Sequence, residues 1–406
     1  MLNYTDLSYT PSKNEVIAEY YIEPASDVSF EYACEQVAAE SSIGTWTKIS
    51  TMKPRIAHRL KPHVFEIDRE KKIIKIAYHP DLFEKGNMPE ILSSIAGNIF
   101  GMKIVKNLRL LDIDFPKKFV KSFKGPRYGI EGIRKLAKIK ERPLIGTIVK
   151  PKVGLNAKEH AKVAYDAWIG GLDIVKDDEN LTSQPFNKFN ERIIETLKLR
   201  DKAEKATGEK KIYMPNITAE TFEMLKRAEF VKKHGGEYVM VDILTVGYSG
   251  LQTVRNNVSQ VIHAHRAMHA AVTRNPKHGM SMLSIAKVAR LVGADQLHIG
   301  AAIGKMEGSA TSTIEIEHEV EDEHVQNVGY VLSQDWHGMK PTLAVASGGL
   351  HPGHIPKLLK IMGNDIVCQF GGGVHGHPNG TRKGAAAVRQ AVDATMKHIT
   401  LEEYSK

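Results

Sequence analysis

The feature that most constrains the fold of this chain is a series of eight short apolar runs, each followed by a helical pattern, starting near residue 140. Runs of this length are typical of strands buried on both faces of a parallel sheet. Eight such strands predict a closed (β/α)8 TIM barrel, although a doubly wound open sheet gives a similar pattern. The runs are PLIGTIVK (143–150), LDIVKDD (172–178), KIYMPNI (211–217), EYVMVDI (237–243), QVIHAHR (260–266), DQLHIG (295–300), TLAVASGG (342–349) and DIVCQFGGG (365–373).

Polar clusters at the ends of these runs favour the barrel. Nearly every run ends in an unusual polar group, such as KPK, KDDEN, PNIT, HAHR or SGG. A barrel places the carboxyl ends of all its strands on one face, where the active site lies, whereas an open sheet offers one crevice. Convergent clusters after the strands therefore favour a closed ring.

The first part of the chain has a different pattern. Its order of strands and helices indicates an N-terminal α+β domain of the ferredoxin-like type over residues 1–125, followed by the barrel over 126–406. A basic segment with Pro and Gly, residues 116–129, is expected to link the two. The predicted elements are a strand (15–23), a helix (30–42), a hairpin (63–79), a helix (88–100) and a strand (102–115).

Composition excludes several classes of protein. The 406 residues carry a formal net charge of +9, but no long block of like charges and no nucleic-acid recognition motif accompanies it, so we expect no nucleic-acid partner. No apolar run is long enough to cross a membrane, and the polar N-terminus lacks the core of a signal peptide. Cys34 and Cys368 are too few for a disulfide framework, which favours the cytoplasm. Small anionic substrates remain open.

The segment KDDEN (176–180) is the strongest candidate for a metal site. Lys176 and Asp178 share a face of a strand, and Glu179 follows as the chain leaves it. Two carboxylates suit Mg²⁺, which prefers oxygen ligands. The lysine is either their salt-bridge partner or a lysine converted to an anion by carbamylation, and the segment read alone is equally consistent with a solvated charge run.

Two lysines in KPK (150–152) are candidates for acid–base chemistry. Lys150 and Lys152 stand two apart at a strand end and should point the same way. Neighbouring ammonium groups lower each other's pKa, which suits a proton donor, and they also hold anions. Read alone, the motif favours two surface lysines without a catalytic role.

The remaining clusters suggest phosphate binding and a mobile loop. His265 and Arg266 in HAHRAMH (263–269), with His298 after the next run, suit a phosphate clamp. Lys305 lies in the Gly-flanked loop GKMEGS (304–309), which could hinge as a lid. Glycine-rich turns after the last two runs could form anion-binding nests, although plain turns are an alternative. Together these clusters indicate an enzyme that acts on a doubly phosphorylated small molecule through a metal-stabilised enolate.

The same segments resemble the large subunit of ribulose-1,5-bisphosphate carboxylase/oxygenase (RuBisCO), nearly from end to end. The stretches SGGLHPGHIPKLL and FGGGVHGHP, with the short C-terminus, resemble the archaeal-type form III more than the plant enzymes. The segment GGLDIVKDDEN is highly specific for this family. The other matching segments are ESSIGTWT, AGNIFG, GTIVKPKVGL, HAHRAMHA, HIGAAIGKMEG, ASGGLHPG and QFGGGVHGHPNGT.

The resemblance implies a reaction. Lys176 would react with CO₂ to form a carbamate that binds Mg²⁺ together with Asp178 and Glu179. Enolisation of ribulose 1,5-bisphosphate, addition of CO₂ or O₂, hydration and cleavage between C2 and C3 would follow. The products would be two 3-phosphoglycerates, or 3-phosphoglycerate and 2-phosphoglycolate. Lys150 would protonate the final carbanion, His265 would assist proton transfer, and Lys305 would orient CO₂.

The resemblance also implies the substrate site and the assembly. Glu40 and Asn98 would reach into the neighbouring subunit's active site, so a homodimer or an oligomer of dimers without a small subunit is expected. It leaves open whether the enzyme serves autotrophic fixation or AMP salvage. The implied substrate-binding residues are Glu40, Thr45, Trp46, Asn98, Lys152, Arg266, His298, Ser347, Gly348, Gly349, Gln369, Gly371 and Gly372.

Two other functions are weighed against this one. A RuBisCO-like protein would enolise another sugar phosphate without fixing CO₂, but such relatives lose several matched residues that are present here. A silent binding or regulatory protein is disfavoured because the acid–base set is complete.

Overall fold

The computed structural model describes residues 3–44, 49–303 and 309–405, which belong to two compact units. The first unit contains Met1–Lys124, Met268–Leu291 and Asp322–Met339. The second contains Gly125–Ala267, Val292–Glu321 and Lys340–Lys406. Because two later segments cluster with the first part of the chain, the division at residue 125 stays a prediction.

The described residues form fifteen strands. They are β1 (Val16–Pro24), β2 (His63–Asp68), β3 (Ile73–Tyr78), β4 (Val105–Asp114), β5 (Leu144–Ile148), β6 (Ile174–Lys176), β7 (Ile212–Met214), β8 (Tyr238–Asp242), β9 (Val261–His265), β10 (Gly279–Met280), β11 (Gln296–Gly300), β12 (His324–Val325), β13 (Gln334–Asp335), β14 (Leu343–Ser347) and β15 (Ile366–Phe370).

The same residues form sixteen α-helices, and no described helix is both long and apolar enough to cross a membrane. They are α1 (Phe30–Glu40), α2 (Pro54–Leu60), α3 (Met88–Ile95), α4 (Lys117–Val120), α5 (Gly129–Ala137), α6 (Ala157–Ile169), α7 (Phe189–Thr207), α8 (Thr221–Lys233), α9 (Ile243–Asn257), α10 (Ala270–Thr273), α11 (Met282–Val292), α12 (Ala310–Glu321), α13 (Ile355–Met362), α14 (Gly372–His375), α15 (Thr381–Met396) and α16 (Leu401–Ser405).

The first unit contains a five-stranded sheet in the order β10-β4-β1-β3-β2. Strands β1 to β4 pair antiparallel, in the strand order of a ferredoxin-like sheet, and β10 adds to the edge of β4 in parallel. All five elements predicted before residue 116 are present. Helix α2 was not predicted, and the predicted linker contains the short helix α4.

The second unit is built on the predicted barrel. Its eight strands pair in parallel in the order β7-β6-β5-β15-β14-β11-β9-β8. A bridge between Asn216 and Met240 joins the two end strands, with the amide of Met240 donating to the carbonyl of Pro215 at 2.8 Å. All eight apolar runs form these strands, so the barrel prediction is confirmed and the open sheet is wrong.

Local sequence explains where a barrel helix starts. Helix α6, which follows β5, is capped by Asn156, the residue before its first turn. The Asn156 side chain accepts from the amide of Glu159, and the Glu159 side chain accepts from the amide of Asn156. This reciprocal pair satisfies two amides that a helix start leaves free. The far end of the barrel is filled by apolar side chains from the strands and from α5, including Ile133, Leu144 and Val367. The carboxyl ends of the strands are left for polar residues.

Candidate active site

Polar side chains stand at the carboxyl ends of several barrel strands. Lys176 ends β6, Asp242 ends β8, His265 ends β9 and Ser347 ends β14. Parallel strands in a closed ring bring these ends to one face, which is where barrel enzymes carry their chemistry. The sequence prediction that the clusters share one mouth is therefore supported by the topology.

Lys176 is fully buried at this mouth. Its Nζ donates to the carbonyl oxygen of Asp177 at 2.9 Å and lies 3.1 Å from Sδ of Met240, a weak acceptor. The nearest carboxylate oxygen recorded is Oε2 of Glu179, at 3.6 Å. Burial lowers the pKa of Lys176, against the opposing pull of nearby carboxylates, chiefly Glu179.

The two carboxylates that follow Lys176 are approached by the two predicted lysines. Lys150 Nζ donates to Oδ2 of Asp178 at 2.7 Å, and Lys152 Nζ lies 3.8 Å from Oε1 of Glu179. Both lysines follow Ile148, the last residue of β5, and their side chains approach Asp178 and Glu179. Burial would raise the pKa of Glu179, but the charges of Lys176 and His265 outweigh it and lower that pKa to about 2.

This donor set suits a magnesium ion. Asp178 and Glu179 supply carboxylate oxygens, the ligand type that Mg²⁺ prefers. Among the described residues, the hydrogen-bond acceptors of the buried Lys176 amine are a carbonyl and a thioether. Addition of CO₂ to that amine would supply a third anionic oxygen group, so the residues present fit the predicted centre.

His265 is oriented by a carboxylate that the sequence reasoning did not select. Its Nδ1 lies 2.8 Å from Oδ1 of the buried Asp242, and its Nε2 lies 3.7 Å from Oε2 of Glu179. A carboxylate on Nδ1 keeps the hydrogen on that nitrogen and leaves Nε2 for proton exchange. Asp242 could have been found as the acid ending the run EYVMVDI.

Arg266 offers an unsatisfied cation at the mouth. Within the described part of the chain, no hydrogen bond or ion pair to its guanidinium is recorded. Burial alone lowers its pKa to about 10. A desolvated guanidinium without a counter-ion favours the binding of an anion such as a phosphate.

His298, predicted beside Arg266 at a phosphate, makes internal hydrogen bonds instead. Its Nδ1 lies 2.7 Å from Oγ of Ser347 and its Nε2 lies 2.8 Å from Nε2 of His263. Both ring nitrogens are thus occupied in this structure. A phosphate role for His298 stays a prediction.

The glycine turns and Gln369 complete the mouth. Gly348 and Gly349 have positive φ values of 115° and 69°, which side chains rarely adopt, and Gly371 precedes the short helix α14 that begins at Gly372. Both polar atoms of the Gln369 side chain are buried, and neither has a hydrogen-bond partner in the described parts of the chain. A buried amide left unsatisfied suits a residue that binds a polar ligand.

Asp177 has a structural role, and the sequence alone did not distinguish it from the neighbouring carboxylates of the segment KDDEN. It faces away from the mouth, where Arg192 Nε at 3.1 Å, the Tyr213 hydroxyl at 2.7 Å and the Asn216 amide at 2.9 Å donate to it. Burial would raise the pKa of Asp177, but Arg192 and its other partners hold it far below its ordinary value. This network fixes the segment that carries Lys176.

Five predicted residues cannot be placed at this mouth. Thr45, Trp46 and Lys305 lie outside the described residues. Glu40, at the end of α1, and Asn98, in a 3₁₀ turn, belong to the first unit. Their roles stay predictions.

Comparison with known protein families decides the membership of this chain. The catalytic domain of the ribulose bisphosphate carboxylase large chain matches residues 129–406, and the N-terminal domain of the same chain matches residues 3–119. The chain belongs to the RuBisCO large-chain family. The two matches lie within the predicted barrel and the predicted α+β region.

Curated RuBisCO relatives match over the whole chain. A ribulose bisphosphate carboxylase from Methanosarcina barkeri is 51% identical over 100% of this chain and 96% of its own length. One from Pyrococcus furiosus is 49% identical over 100% of this chain and 94% of its own. These relatives are carboxylases from archaea, so the predicted enzyme class and the archaeal resemblance are confirmed.

Solved RuBisCO structures share the fold. A dimeric archaeal RuBisCO from Hyperthermus butylicus aligns with a TM-score of 0.94 and 44% identity, covering 99% of this chain and 95% of that one. An octameric RuBisCO from Pyrococcus horikoshii, solved with a sulfate ion, aligns with a TM-score of 0.93 and 46% identity over 99% and 93%. The predicted fold class is therefore confirmed.

Proposed function

We propose that this protein is a ribulose-1,5-bisphosphate carboxylase/oxygenase. It joins CO₂ to ribulose 1,5-bisphosphate and yields two molecules of 3-phosphoglycerate, with O₂ as the competing gas. The observation that carries the proposal is the buried Lys176 beside Glu179 at 3.6 Å, at the mouth of a barrel that this family uses. When bound, Mg²⁺ on carbamylated Lys176, Asp178 and Glu179 would supply Lewis-acid polarisation of the substrate ketone.

The protein's own groups divide the remaining work. Lys150 holds a proton at Nζ, 2.7 Å from Asp178, and is placed to deliver it to the product carbanion. His265 exchanges a proton at Nε2, because Asp242 engages Nδ1. Lys152, 3.8 Å from Glu179, adds positive charge for the anionic intermediates.

Binding of the sugar is assigned to the rest of the mouth. Arg266 takes one phosphate, because its charge has no described partner. The turns at Gly348–Gly349 and Gly371–Gly372 offer backbone amides to the other phosphate. Ser347 and Gln369 contact polar atoms of the substrate. The family resemblance adds Thr45, Trp46 and Lys305 to this set, and His298 contributes through its hydrogen bond with Ser347.

A labelling experiment tests the proposal. The purified chain is incubated with radiolabelled CO₂, Mg²⁺ and ribulose bisphosphate, and acid-stable label in 3-phosphoglycerate is expected. Lys140→Ala, which changes an exposed lysine after α5, is the matched control and should retain activity. Turnover of another sugar phosphate without label would instead support a RuBisCO-like enolase, and folded protein without any turnover would contradict the proposal.

We also propose a homodimer with active sites completed across subunits. The resemblance assigns Glu40 and Asn98 to the partner's site, and structural relatives are dimeric or octameric. Glu40→Gln and Lys176→Ala proteins, each nearly inactive, are expected to recover roughly a quarter of wild-type activity when a statistical mixture of dimers forms. Activity is measured after subunit exchange, with mass spectrometry to show heterodimers. Heterodimers without recovered activity would contradict the shared site.

A further inference from the structure

Four side chains form one hydrogen-bonded row inside the barrel. Gln296 Oε1 lies 2.8 Å from Nδ1 of His263, whose Nε2 lies 2.8 Å from Nε2 of His298. Nδ1 of His298 lies 2.7 Å from Oγ of Ser347. Gln296, His263 and His298 are buried, so the row is shielded from water except at Ser347. No role for His263 or Gln296 follows from the family resemblance set out above.

The contact between the two rings admits one proton. Two N–H groups that face each other at 2.8 Å would repel, and two lone pairs would leave both nitrogens unsatisfied. One ring therefore donates and the other accepts. Burial favours the neutral forms, lowering the pKa of His263 to about 3 and that of His298 well below its ordinary value.

The amide at the end of the row sets its direction. In the orientation that the structure gives the Gln296 amide, Oε1 faces Nδ1 of His263 and can only accept, so Nδ1 carries the hydrogen and Nε2 of His263 keeps a lone pair. Nε2 of His298 must then donate to His263, which leaves a lone pair on Nδ1 of His298. That lone pair accepts the hydroxyl hydrogen of Ser347.

We propose that His263 and Gln296 are positioning residues that make the Ser347 oxygen a hydrogen-bond acceptor toward the substrate. With its hydrogen committed to His298, the hydroxyl presents only lone pairs to the mouth. It therefore favours a sugar hydroxyl and disfavours a carbonyl or phosphate oxygen at that position. This specificity rests on the proposed function, because the ligand is taken to be a phosphorylated sugar. The direction of the row does not depend on turnover.

Neutron diffraction of the deuterium-exchanged full-length protein tests the direction without any reaction. Deuterium is expected on Nδ1 of His263 and on Nε2 of His298, with none on Nδ1 of His298. The reverse pattern, with deuterium on Nδ1 of His298, would overturn the proposal. An enzyme that fails to fix CO₂ but shows the expected pattern would refute the proposed function and leave only the direction of the hydrogen-bonded row intact.

A double-mutant cycle tests the consequence for substrate binding. Gln296→Met removes the amide that orients the row and should raise the KM for ribulose bisphosphate about three- to tenfold, with kcat within about twofold. In a Ser347→Ala background the same change should shift KM by less than about twofold, because the oriented hydroxyl is already gone. Additive effects on KM would overturn the proposal.

A matched control separates positioning from packing. Gln260 is also a buried glutamine, and its side-chain amide donates to the carbonyl of Ala228 at 2.6 Å, away from the row. Gln260→Met should lower thermal stability without changing KM in either background. If Gln296→Met fails to fold, the neutron measurement on the unaltered protein still decides the question.

Discussion

Both ends of the barrel contain buried charged residues, but the two ends differ in whether those residues have hydrogen-bond or ion-pair partners within the protein. Before β11, Asp295 accepts from the amides of Arg127, Tyr128 and Ile262 and from the guanidinium of Arg255, at 2.7 to 2.9 Å. Asp173, before β6, accepts both guanidinium nitrogens of Arg142 at 2.7 Å. The charges at this end are fully paired within the protein.

The carboxyl ends of the strands are left incomplete by contrast. Within the residues that the structure describes, Arg266 makes no ion pair and the buried amide of Gln369 makes no hydrogen bond. Unsatisfied polar groups are costly in a folded protein unless a ligand completes them. Both ends contain buried polar groups. The stabilising end differs from the reactive end in that its polar groups already have partners within the protein.

Lys176→Ala should produce the largest effect and should act on activity alone. Without the amine no carbamate forms, and we expect carboxylation to fall by more than about a thousandfold while circular dichroism shows a folded protein. Steady-state fixation of labelled CO₂ measures the loss. Retention of one tenth of the activity or more would show that Lys176 does not organise the reactive end.

Asp295→Ala should act on stability at the opposite end. Removal of this buried carboxylate leaves Arg255 and three amides without their acceptor, which should lower the free energy of unfolding by about 3–5 kcal/mol. Urea unfolding at constant pH measures the change. Asp365→Ala is the control, since Asp365 pairs with Arg134 but its side chain is 57% exposed, and less than about 1 kcal/mol is expected.

Arg266→Ala should weaken substrate binding without much loss of stability. We expect the KM for ribulose bisphosphate to rise about thirtyfold, because a charge-assisted contact with a phosphate is lost. Stability should stay the same or increase, since a half-buried cation without an ion-pair partner among the described residues is removed. Arg134→Ala also removes hydrogen bonds to the carbonyl oxygens of Arg142 and Asn364, so it should lower stability and leave the KM unchanged. An unchanged KM would contradict the phosphate assignment.

The parts of the fold that depend on the pattern of apolar residues could be predicted from the sequence. Each apolar run forms a barrel strand, because short runs that alternate with helical segments are typical of a parallel sheet covered by helices. Helix α2 was missed because its sequence, PRIAHRL, presents no buried side chain and so has no clear apolar face. The two segments that cluster with the first unit were also unpredictable, because nothing local marks them.

The site was predictable as a set of residue types but not as a set of contacts. KDDEN pointed to a metal site, yet only the structure separates Asp178, held by Lys150, from Asp177, held by Arg192 and Tyr213. Asp242 was missed because its partner His265 is on another strand. Pairings between strands depend on register, which one sequence does not contain.

His375 lies at the reactive end, after β15, but both of its ring nitrogens have hydrogen-bond partners. It therefore tests whether the location of a residue or its hydrogen bonding decides its role. Its Nε2 lies 2.9 Å from the carbonyl of Ile148 and 3.0 Å from the Thr147 hydroxyl, and its Nδ1 lies 3.0 Å from the Thr381 hydroxyl. Burial lowers its pKa to about 4. We therefore expect a contribution to stability rather than to turnover.

The pH dependence of unfolding tests this expectation. An unfolded histidine binds its proton near about pH 6.5, whereas the native ring stays neutral down to about pH 4. The unfolded state thus holds more protons between these values, and stability should fall by about 3 kcal/mol as the pH is lowered through them. His375→Gln should flatten this part of the curve in urea unfolding, and exposed His58→Gln should not. A curve left unchanged by His375→Gln would mean that paired residues at the reactive end do not stabilise the fold as those at the opposite end do.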